Sequence, residues 1–345
     1  MDIQRATEML AQRFPSLFAT IDSHTAGEPT RLIVEGLGEV PGVDMAEKRR
    51  YFMENLDHVR RLLTREPRGH RDMIAAALTG PVSEGAELGL IYMDARRYPY
   101  LCGHATIGAV TTLLETGAIE PSGLETTVIV DTPSGPMTTR ARVRDGVVES
   151  VAVETVPSFV YGRERSLDVP GLGTISVHTV CVGGFFVMVP AEATGISLTP
   201  DNSGRLVDLG MDLIDCANKQ LDVHHPTRPE VSTVDVVEFY EEDPAHPCSG
   251  RSMVIYGERH MDRSPCGTGT AAKLTLLHRQ GRIGLDRAYR NMSPLGTVFE
   301  ARLVRETSLG GVSAVVAEIR GSAQITGIHT FTLDPDDPFP GGFLP

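Results

Sequence analysis

Two stretches of this sequence repeat one another: CGHATIGAVTTLLETGAI at residues 102–119 and CGTGTAAKLTLLHRQGRI at residues 266–283. The matches fall at equal offsets from the two cysteines, Cys102 and Cys266. A glycine follows each cysteine, threonines stand four and nine positions later, and a glycine stands fifteen positions later. Self-similarity of this kind is typical of a duplicated structural unit, so the chain is expected to contain two related halves.

Each copy predicts a strand that ends in a glycine-rich turn, then a helix of about four turns with the cysteine at its start. Gly117 and Gly281 would close these helices in the left-handed conformation that glycine tolerates. Elsewhere alternating apolar residues predict many strands, including a hairpin with a tight turn at Asp145-Gly146. Amphipathic patterns predict two further helices, at residues 46–65 and 203–223. The fold class is therefore α+β.

Composition excludes several classes of protein. At 345 residues with 41% hydrophobic content, the chain is long enough for two packed domains. A formal charge of −13 argues against nucleic acid as a partner. Apolar runs stay short of the roughly 18–20 residues of a membrane span, and residues 1–14 lack the pattern of a secretory signal. We expect a soluble, cytoplasmic protein without a membrane partner.

The cysteines are interpreted as thiols, because five is an odd number and the chain is too large to need disulfides. Neither a C-x-x-C pair nor an H-E-x-x-H arrangement occurs, so no metal is expected. Lysines are scarce, which weakens a pyridoxal-phosphate hypothesis, and no cofactor is expected. Three cysteines are interpreted as small buried apolar residues: Cys181, Cys216 and Cys248.

Cys102 and Cys266 have a different predicted role. A thiol at a helix amino terminus is expected to have its pKa lowered from about 8.5 into roughly the 3.5–7.5 range. Two such sulfurs on opposite sides of one cleft are suited to inversion of an α-carbon, since one removes a proton while the other delivers one. Backbone N–H groups would stabilise the carbanion, and Asp262 would hold the substrate ammonium. The expected N–H donors are Gly103, His104, Gly267 and Thr268.

These motifs resemble the proline racemase family. The segment DRSPCGTGT (residues 262–270) is its most specific signature, and CGHATIG (residues 102–108) is similar to its first cysteine motif. The segments DSHTAGEPTR (22–31), RGHRDM (68–73), DTPSG (131–135), VPSF (156–159) and DPDDPFPGGF (334–343) agree with it. The resemblance extends over nearly the whole chain after about residue 17.

The resemblance implies a diaminopimelate-epimerase-like fold, with two pseudo-symmetric domains that each wrap a curved, mostly antiparallel sheet around a central helix. It places the active site between the domains. We expect residues 1–157 with 325–345 to form the half that carries Cys102, and 158–324 the half that carries Cys266. The implied activity is cofactor-independent inversion of proline or 4-hydroxyproline by the two cysteines, in a homodimer. The implied substrate contacts are the same five residues: Gly103, His104, Asp262, Gly267 and Thr268.

Some positions depart from the family pattern or have a simpler explanation. Ala105 and residues 178–186 differ from the usual residues, and Tyr256 and Ile74 stand at pocket-wall positions that vary with the substrate. His104 could instead be a structural hydrogen-bonding residue, and Asp262 a helix cap or a loop ion-pair partner. A role in shaping loops is the simpler interpretation of His24, His70, Arg71 and Asp72, and a packed methylene stem is that of Lys273.

Three other functions remain open. Relatives that dehydrate trans-3-hydroxyproline resemble this chain but replace one catalytic cysteine with serine or threonine; here both cysteines are present, which favours inversion. A Cys-His hydrolase or thiol redox protein would leave the repeated motif unexplained. A non-catalytic imino-acid-binding protein would bind the same small molecule without exchanging its α-proton.

Overall fold

The computed structural model describes residues 2–14 and 17–345. Within this part of the chain the α-helices are α1 Ile3–Arg13, α2 Met45–Asn55, α3 Asp57–Thr64, α4 Gly103–Glu115, α5 Ser203–Gln220 and α6 Gly267–Arg279. The strands of the first part of the chain are β1 Leu17–Thr25, β2 Glu28–Glu35, β3 Ala75–Thr79, β4 Leu88–Met93, β5 Glu125–Asp131, β6 Met137–Arg144, β7 Val147–Glu154, β8 Phe159–Val160 and β9 Arg165–Val169. Those of the second part are β10 Gly173–Val182, β11 Gly184–Pro190, β12 Val234–Glu242, β13 Ser249–Tyr256, β14 His260–Met261, β15 Tyr289–Met292, β16 Val298–Leu309, β17 Val312–Gly321 and β18 Ala323–Thr332.

The strands form one branched, mostly antiparallel sheet network. Among the described residues, the parallel pairs are β2–β3, β4–β5, β11–β12 and β13–β15. Strand β7 pairs with β17, and β18 returns to pair with β1 from Ala323 to Thr332. Long strands with few helices confirm the predicted α+β class.

Helices α4 and α6 occupy the centre of the molecule. Residues 104–114 of α4 are all buried, and so are nearly all residues of α6. Helix α4 packs against β1, β2, β7 and β18, whereas α6 packs against β8, β10, β16 and β17. Both helices are thus enclosed by strands, which explains why their sequences are apolar or small on every face. Gly117 and Gly281 follow them with φ values of 73° and 71°, as the repeat predicted.

Of the other local predictions, the helix at residues 203–223 is confirmed as α5 and the hairpin turn is confirmed, whereas the helix at residues 46–65 is interrupted. Asp145 and Gly146 form the β6–β7 turn with φ values of 52° and 79°. The single helix predicted at residues 46–65 is two helices, because Leu56 has a non-helical backbone (φ −121°, ψ 13°) between them. The break allows Phe52 of α2 and Leu62 of α3 to enter the same apolar core. Helix α1 was not predicted; Asp2 caps it by accepting a hydrogen bond from the Arg5 N–H.

No helix of residues 2–14 and 17–345 is both long and apolar enough to cross a membrane.

Candidate active site

The two central helices meet at their amino termini. A Cβ atom placed on Gly103 would lie 3.3 Å from Cα of Gly267, and one placed on Gly267 would lie 3.2 Å from Cα of Gly103. Glycine fits both positions because a side chain at either one would push the helix ends apart by a few tenths of an ångström. Cys102 and Cys266 immediately precede these glycines and occupy the N-cap positions of α4 and α6. The repeated motif thus brings both cysteines to one junction.

A small cavity of about 60 Å³ lies at this junction. With the usual allowance of 10–15 Å³ for each water, it has room for roughly four to six water-sized groups, which suits a small molecule and not a peptide. Every candidate site residue from the sequence lines it: Cys102, Gly103, His104, Asp262, Cys266, Gly267 and Thr268. Ile74 and Tyr256 also line it. A larger groove, of about 860 Å³, lies elsewhere along residues 241–251, and none of the candidate site residues lines it.

Each sulfur lies beside the first turn of its own helix, where N–H groups lack intrahelical partners. The N–H of Gly269 donates to Sγ of Cys266 at 3.3 Å, whereas the side chain of Cys102 makes no such cap hydrogen bond to α4. The neighbouring side chains differ as well. Sγ of Cys102 lies 3.4 Å from Nδ1 of His104, whereas Sγ of Cys266 lies 3.6 Å from the Thr268 hydroxyl. Cys266 also has a strained backbone, with φ 55°.

Burial raises the pKa of both thiols. At Cys102 the backbone N–H of Ala105 lowers the pKa by less than burial raises it, and the carboxylate of Asp262 raises it further. At Cys266 the carboxylate of Asp262 adds to the effect of burial, and the Thr268 hydroxyl and the Gly269 N–H lower the pKa by less. The expected lowering of the two pKa values was therefore wrong: the sequence motif indicates the helix terminus but not the depth at which it is buried. Desolvation of the thiolate outweighs the helix end.

His104 and Asp262 complete the polar part of the cavity. Burial lowers the pKa of His104 to about 4, so its imidazole is neutral at physiological pH. Asp262 accepts two hydrogen bonds from Ser264, 2.8 Å from the backbone N–H and 2.7 Å from the hydroxyl, both at Oδ1. Burial, followed by the charge of Glu28, raises the pKa of Asp262. Asp262 is thus an acidic group held rigidly at the cavity wall.

A buried ion-pair cluster behind Asp262 was missed by the sequence analysis. Glu28 of β2 accepts hydrogen bonds from Nε2 of His260 at 2.6 Å and from the backbone N–H of Arg263 at 2.8 Å. The His260 ring stacks on Tyr256, with ring centroids 4.3 Å apart. The only sequence signal was the position of Glu28 within DSHTAGEPTR. The cluster joins β2 to the loop that carries Asp262.

The remaining predicted residues lie around this junction. His24 and His70 each accept a hydrogen bond from a nearby backbone N–H through Nδ1, and Asp72 forms a 3.0 Å ion pair with Arg263. Arg71 is half-exposed beside Asp72.

Four other residues considered from the sequence do not line the cavity. Cys181 is buried as expected, whereas Cys216 and Cys248 are only partly buried. The whole of Lys273 is buried, and its ammonium donates to the carbonyls of Glu241 and Arg251.

Among residues 2–14 and 17–345, no group of three or more His, Cys, Asp or Glu side chains is arranged to hold a metal ion.

Comparison with known proteins identifies the family. The family model described as proline racemase matches residues 20–344. The chain belongs to the proline racemase family. It is 40% identical over 333 residues to proline racemase of Clostridioides difficile, a match that covers 96% of this chain and 99% of that one. It is also 40% identical over 332 residues to 4-hydroxyproline 2-epimerase of Streptosporangium roseum, with the same coverage.

A solved structure agrees with the sequence comparisons. The hydroxyproline epimerase of Agrobacterium vitis, with bound trans-4-hydroxy-L-proline, has a TM-score of 0.91, is 31% identical and covers 96% of both chains. The resemblance drawn from the motifs is thus confirmed, and so is the predicted enzyme class, because racemases and epimerases are isomerases. The two kinds of relative differ in the substrate that they are named for, at equal identity to this chain.

Proposed function

We propose that this protein inverts the α-carbon of proline or 4-hydroxyproline without a cofactor, with Cys102 and Cys266 as the acid and base. The single observation that carries the proposal is the meeting of Gly103 and Gly267, which brings two N-cap cysteines to one small cavity. A base on one side and an acid on the other are what inversion of a carbon acid requires.

The substrate carboxylate would lie against the first N–H groups of α4 and α6, from Gly103, His104, Gly267 and Thr268. Helix amino termini bind anions through such unpaired donors. Negative charge moves onto the carboxylate as the α-proton leaves, so preorganised donors stabilise the transition state more than the ground state. The neutral imidazole of His104 adds no charge of its own, which leaves the helix ends to supply this stabilisation.

Asp262 would bind the substrate nitrogen. Its Oδ1 is already occupied by both Ser264 donors, so Oδ2 is the oxygen proposed to accept from the imino group. A cation at this point would also offset the negative charge that opposes thiolate formation at Cys102 and Cys266. Substrate binding and formation of the base are therefore expected to favour one another.

The volume of the cavity supports the proposed substrate class, whereas the residues of the cavity wall would determine the choice between proline and 4-hydroxyproline. A volume of about 60 Å³ limits the ligand to a small amino or imino acid. Tyr256, held by stacking on His260, and Ile74 form the wall that a ring substituent would meet.

Two further expectations remain predictions. The first is that residues 1–157 with 325–345 form one domain and residues 158–324 the other. The second is that the protein is a cytoplasmic homodimer.

The experiment is inversion of L- and D-proline and of the 4-hydroxyproline isomers in deuterated water. In a two-base reaction the product gains solvent deuterium while the remaining substrate keeps its α-proton at early times, which NMR can measure. Cys102→Ser and Cys266→Ser should each lower kcat by at least about 10²–10⁴-fold, the usual loss for a missing acid or base. Cys216→Ser, on the outer helix α5, is the matched control and should retain full turnover.

Other outcomes would replace this proposal. Equal deuterium uptake by substrate and product would indicate a single exchanging base. Loss of water from trans-3-hydroxyproline, assayed in parallel, would identify a dehydratase, and tight binding without exchange would identify a binding protein.

A further inference from the structure

The segments that begin at Cys102 and Cys266 are held by chemically different hydrogen-bond networks. Thr106 and Thr270 stand at equal positions in the repeat, four residues after Cys102 and Cys266. The hydroxyl of Thr106 lies 2.7 Å from the hydroxyl of Tyr92, a buried phenol whose pKa is raised by burial, so this network is neutral. The hydroxyl of Thr270 instead accepts a 2.8 Å hydrogen bond from the amide of Asn291.

The hydrogen-bond network behind Cys266 ends at a carboxyl group. The amide of Asn291 also donates to the hydroxyl of Ser252 at 3.2 Å, and that hydroxyl donates to Oε1 of Glu238 at 2.6 Å. Glu238 lies on β12 and is completely buried. Within the part of the chain that the structure describes, its Oε2 has no hydrogen-bond partner. A buried ionisable oxygen without a partner is costly, so its presence calls for a function.

The unpaired oxygen faces the backbone of the second cysteine motif. A Cβ atom placed on Gly269 would lie 2.9 Å from Oε2 of Glu238 and 3.2 Å from Cβ of Cys266. Oε2 of Glu238 and Cβ of Cys266 therefore lie within about 6 Å of one another, beside a glycine whose N–H donates to the Cys266 sulfur. The carboxyl is thus close enough to act on the thiol through its charge.

We propose that Glu238 is a positioning residue whose ionisation opposes thiolate formation at Cys266 and so makes the two catalytic sulfurs unequal. The inference rests on the proposed function of Cys266 as an acid and base, and deepens it. When Glu238 is charged, Cys266 is kept as the thiol and Cys102 becomes the more readily ionised of the two. When Glu238 is neutral, this bias disappears.

The charges around Glu238 set the pH range of this effect. Burial raises the pKa of Glu238 to about 7, although the Ser252 hydroxyl and the ammonium of Lys273 on α6 lower it. The charge of Asp262 also raises it, and Cys266 faces the same carboxyl. Glu238 thus changes its charge near neutral pH. At 6–8 Å and an effective dielectric constant of about 20, a unit charge shifts thiol ionisation roughly 30- to 100-fold. Stronger screening, with an effective dielectric constant of about 35 at about 7 Å, still leaves about tenfold.

The test is the pH dependence of thiol alkylation by iodoacetamide, with each modified peptide quantified by mass spectrometry. Cys266 is measured in a Cys102→Ser background, so that the second sulfur does not compete for the proton. Glutamine has the shape of protonated glutamate, so Glu238→Gln should leave the rate at Cys266 unchanged below pH 6. Above pH 8, Glu238→Gln should raise it about tenfold.

Two controls separate electrostatics from structure. Cys102, measured in a Cys266→Ser background, should respond to Glu238→Gln by less than about twofold. Lys273→Met removes the cation that lowers the pKa of Glu238, so Glu238 stays neutral to a higher pH and alkylation of Cys266 near neutral pH should be faster, as in Glu238→Gln. This second variant keeps the inference testable if Glu238→Gln does not fold. A change that is equal at every pH, or equal at both sulfurs, would overturn it. Because alkylation needs no turnover, this result is independent of whether the protein inverts proline.

Discussion

The contact between Gly103 and Gly267 predicts a measurable loss when either residue becomes alanine. Each new Cβ would lie 3.2–3.3 Å from the opposite Cα, a distance that forces the neighbouring helix end to move by a few tenths of an ångström. A displacement of 1 Å at a reacting centre can lower the rate by about 10²-fold, so a few tenths should lower kcat/KM roughly three- to tenfold. The backbone N–H groups remain in both variants, so the loss reports helix spacing alone.

Stability should fall in the same variants. Overpacking of a tight contact costs about 1–3 kcal/mol, and the free energy of unfolding of Gly103→Ala and Gly267→Ala should decrease by about this amount. The double variant should lose more than the sum of the two, because the two new methyl groups would meet one another. Gly204→Ala is the matched control. Nothing lies within 4 Å of its Cβ position on α5, and alanine should stabilise that helix by up to about 1 kcal/mol.

The assays are initial rates of L-proline or 4-hydroxyproline inversion by polarimetry and unfolding in urea by circular dichroism. If Gly103→Ala and Gly267→Ala both kept wild-type kcat/KM within about twofold, the helix contact would not set the catalytic geometry. The same would follow if Gly204→Ala lost as much activity as they do.

Two further predictions follow from the buried charges. Glu28→Gln removes the partner of His260 and should cost about 3–5 kcal/mol of unfolding free energy, because both side chains are buried. Burial lowers the pKa of His260, but Glu28 raises it overall, so this contribution is complete below about pH 6.5 and is lost as the pH rises through the raised value. Urea unfolding at pH 5.5 and 8.5 checks this, and a gap between variant and wild type that is equal at both pH values would contradict it. Because burial raises the pKa of both thiols proposed to act as acid and base, kcat/KM should climb from pH 7 towards pH 9; a plateau already reached at pH 7 would be incompatible with those shifts.

Local chemistry made much of the fold predictable. Gly117 and Gly281 end their helices with positive φ, and Asp145-Gly146 forms a tight turn, because these conformations depend on the residues themselves. The repeat around Cys102 and Cys266 predicted two helix starts and the residues at the cavity. Such features can be predicted from the sequence because residues that are neighbours along the chain determine them.

Contacts distant in sequence were not predictable. Glu28 meets His260 across 232 residues, and no local pattern in either segment indicates the pairing. Leu56 interrupts a regular amphipathic pattern because Phe52 and Leu62 must both reach one core. The direction of the thiol pKa shift was wrong for the same reason: burial is a property of the assembled molecule, whereas the helix terminus is a property of the segment.

The raised pKa values of the two thiols match what the proposed reaction requires of its base. An α-carbon of an imino acid is a very weak acid, so a thiolate with a strongly lowered pKa would be abundant but too weak to remove the proton. Burial beside Asp262 reverses this balance, because it makes the thiolate rarer and more basic. In the proposed reaction, a cationic substrate nitrogen bound at Asp262 would offset the charge that opposes thiolate formation. A helix-end cysteine that is exposed would have the opposite properties and would suit nucleophilic attack better than carbon deprotonation.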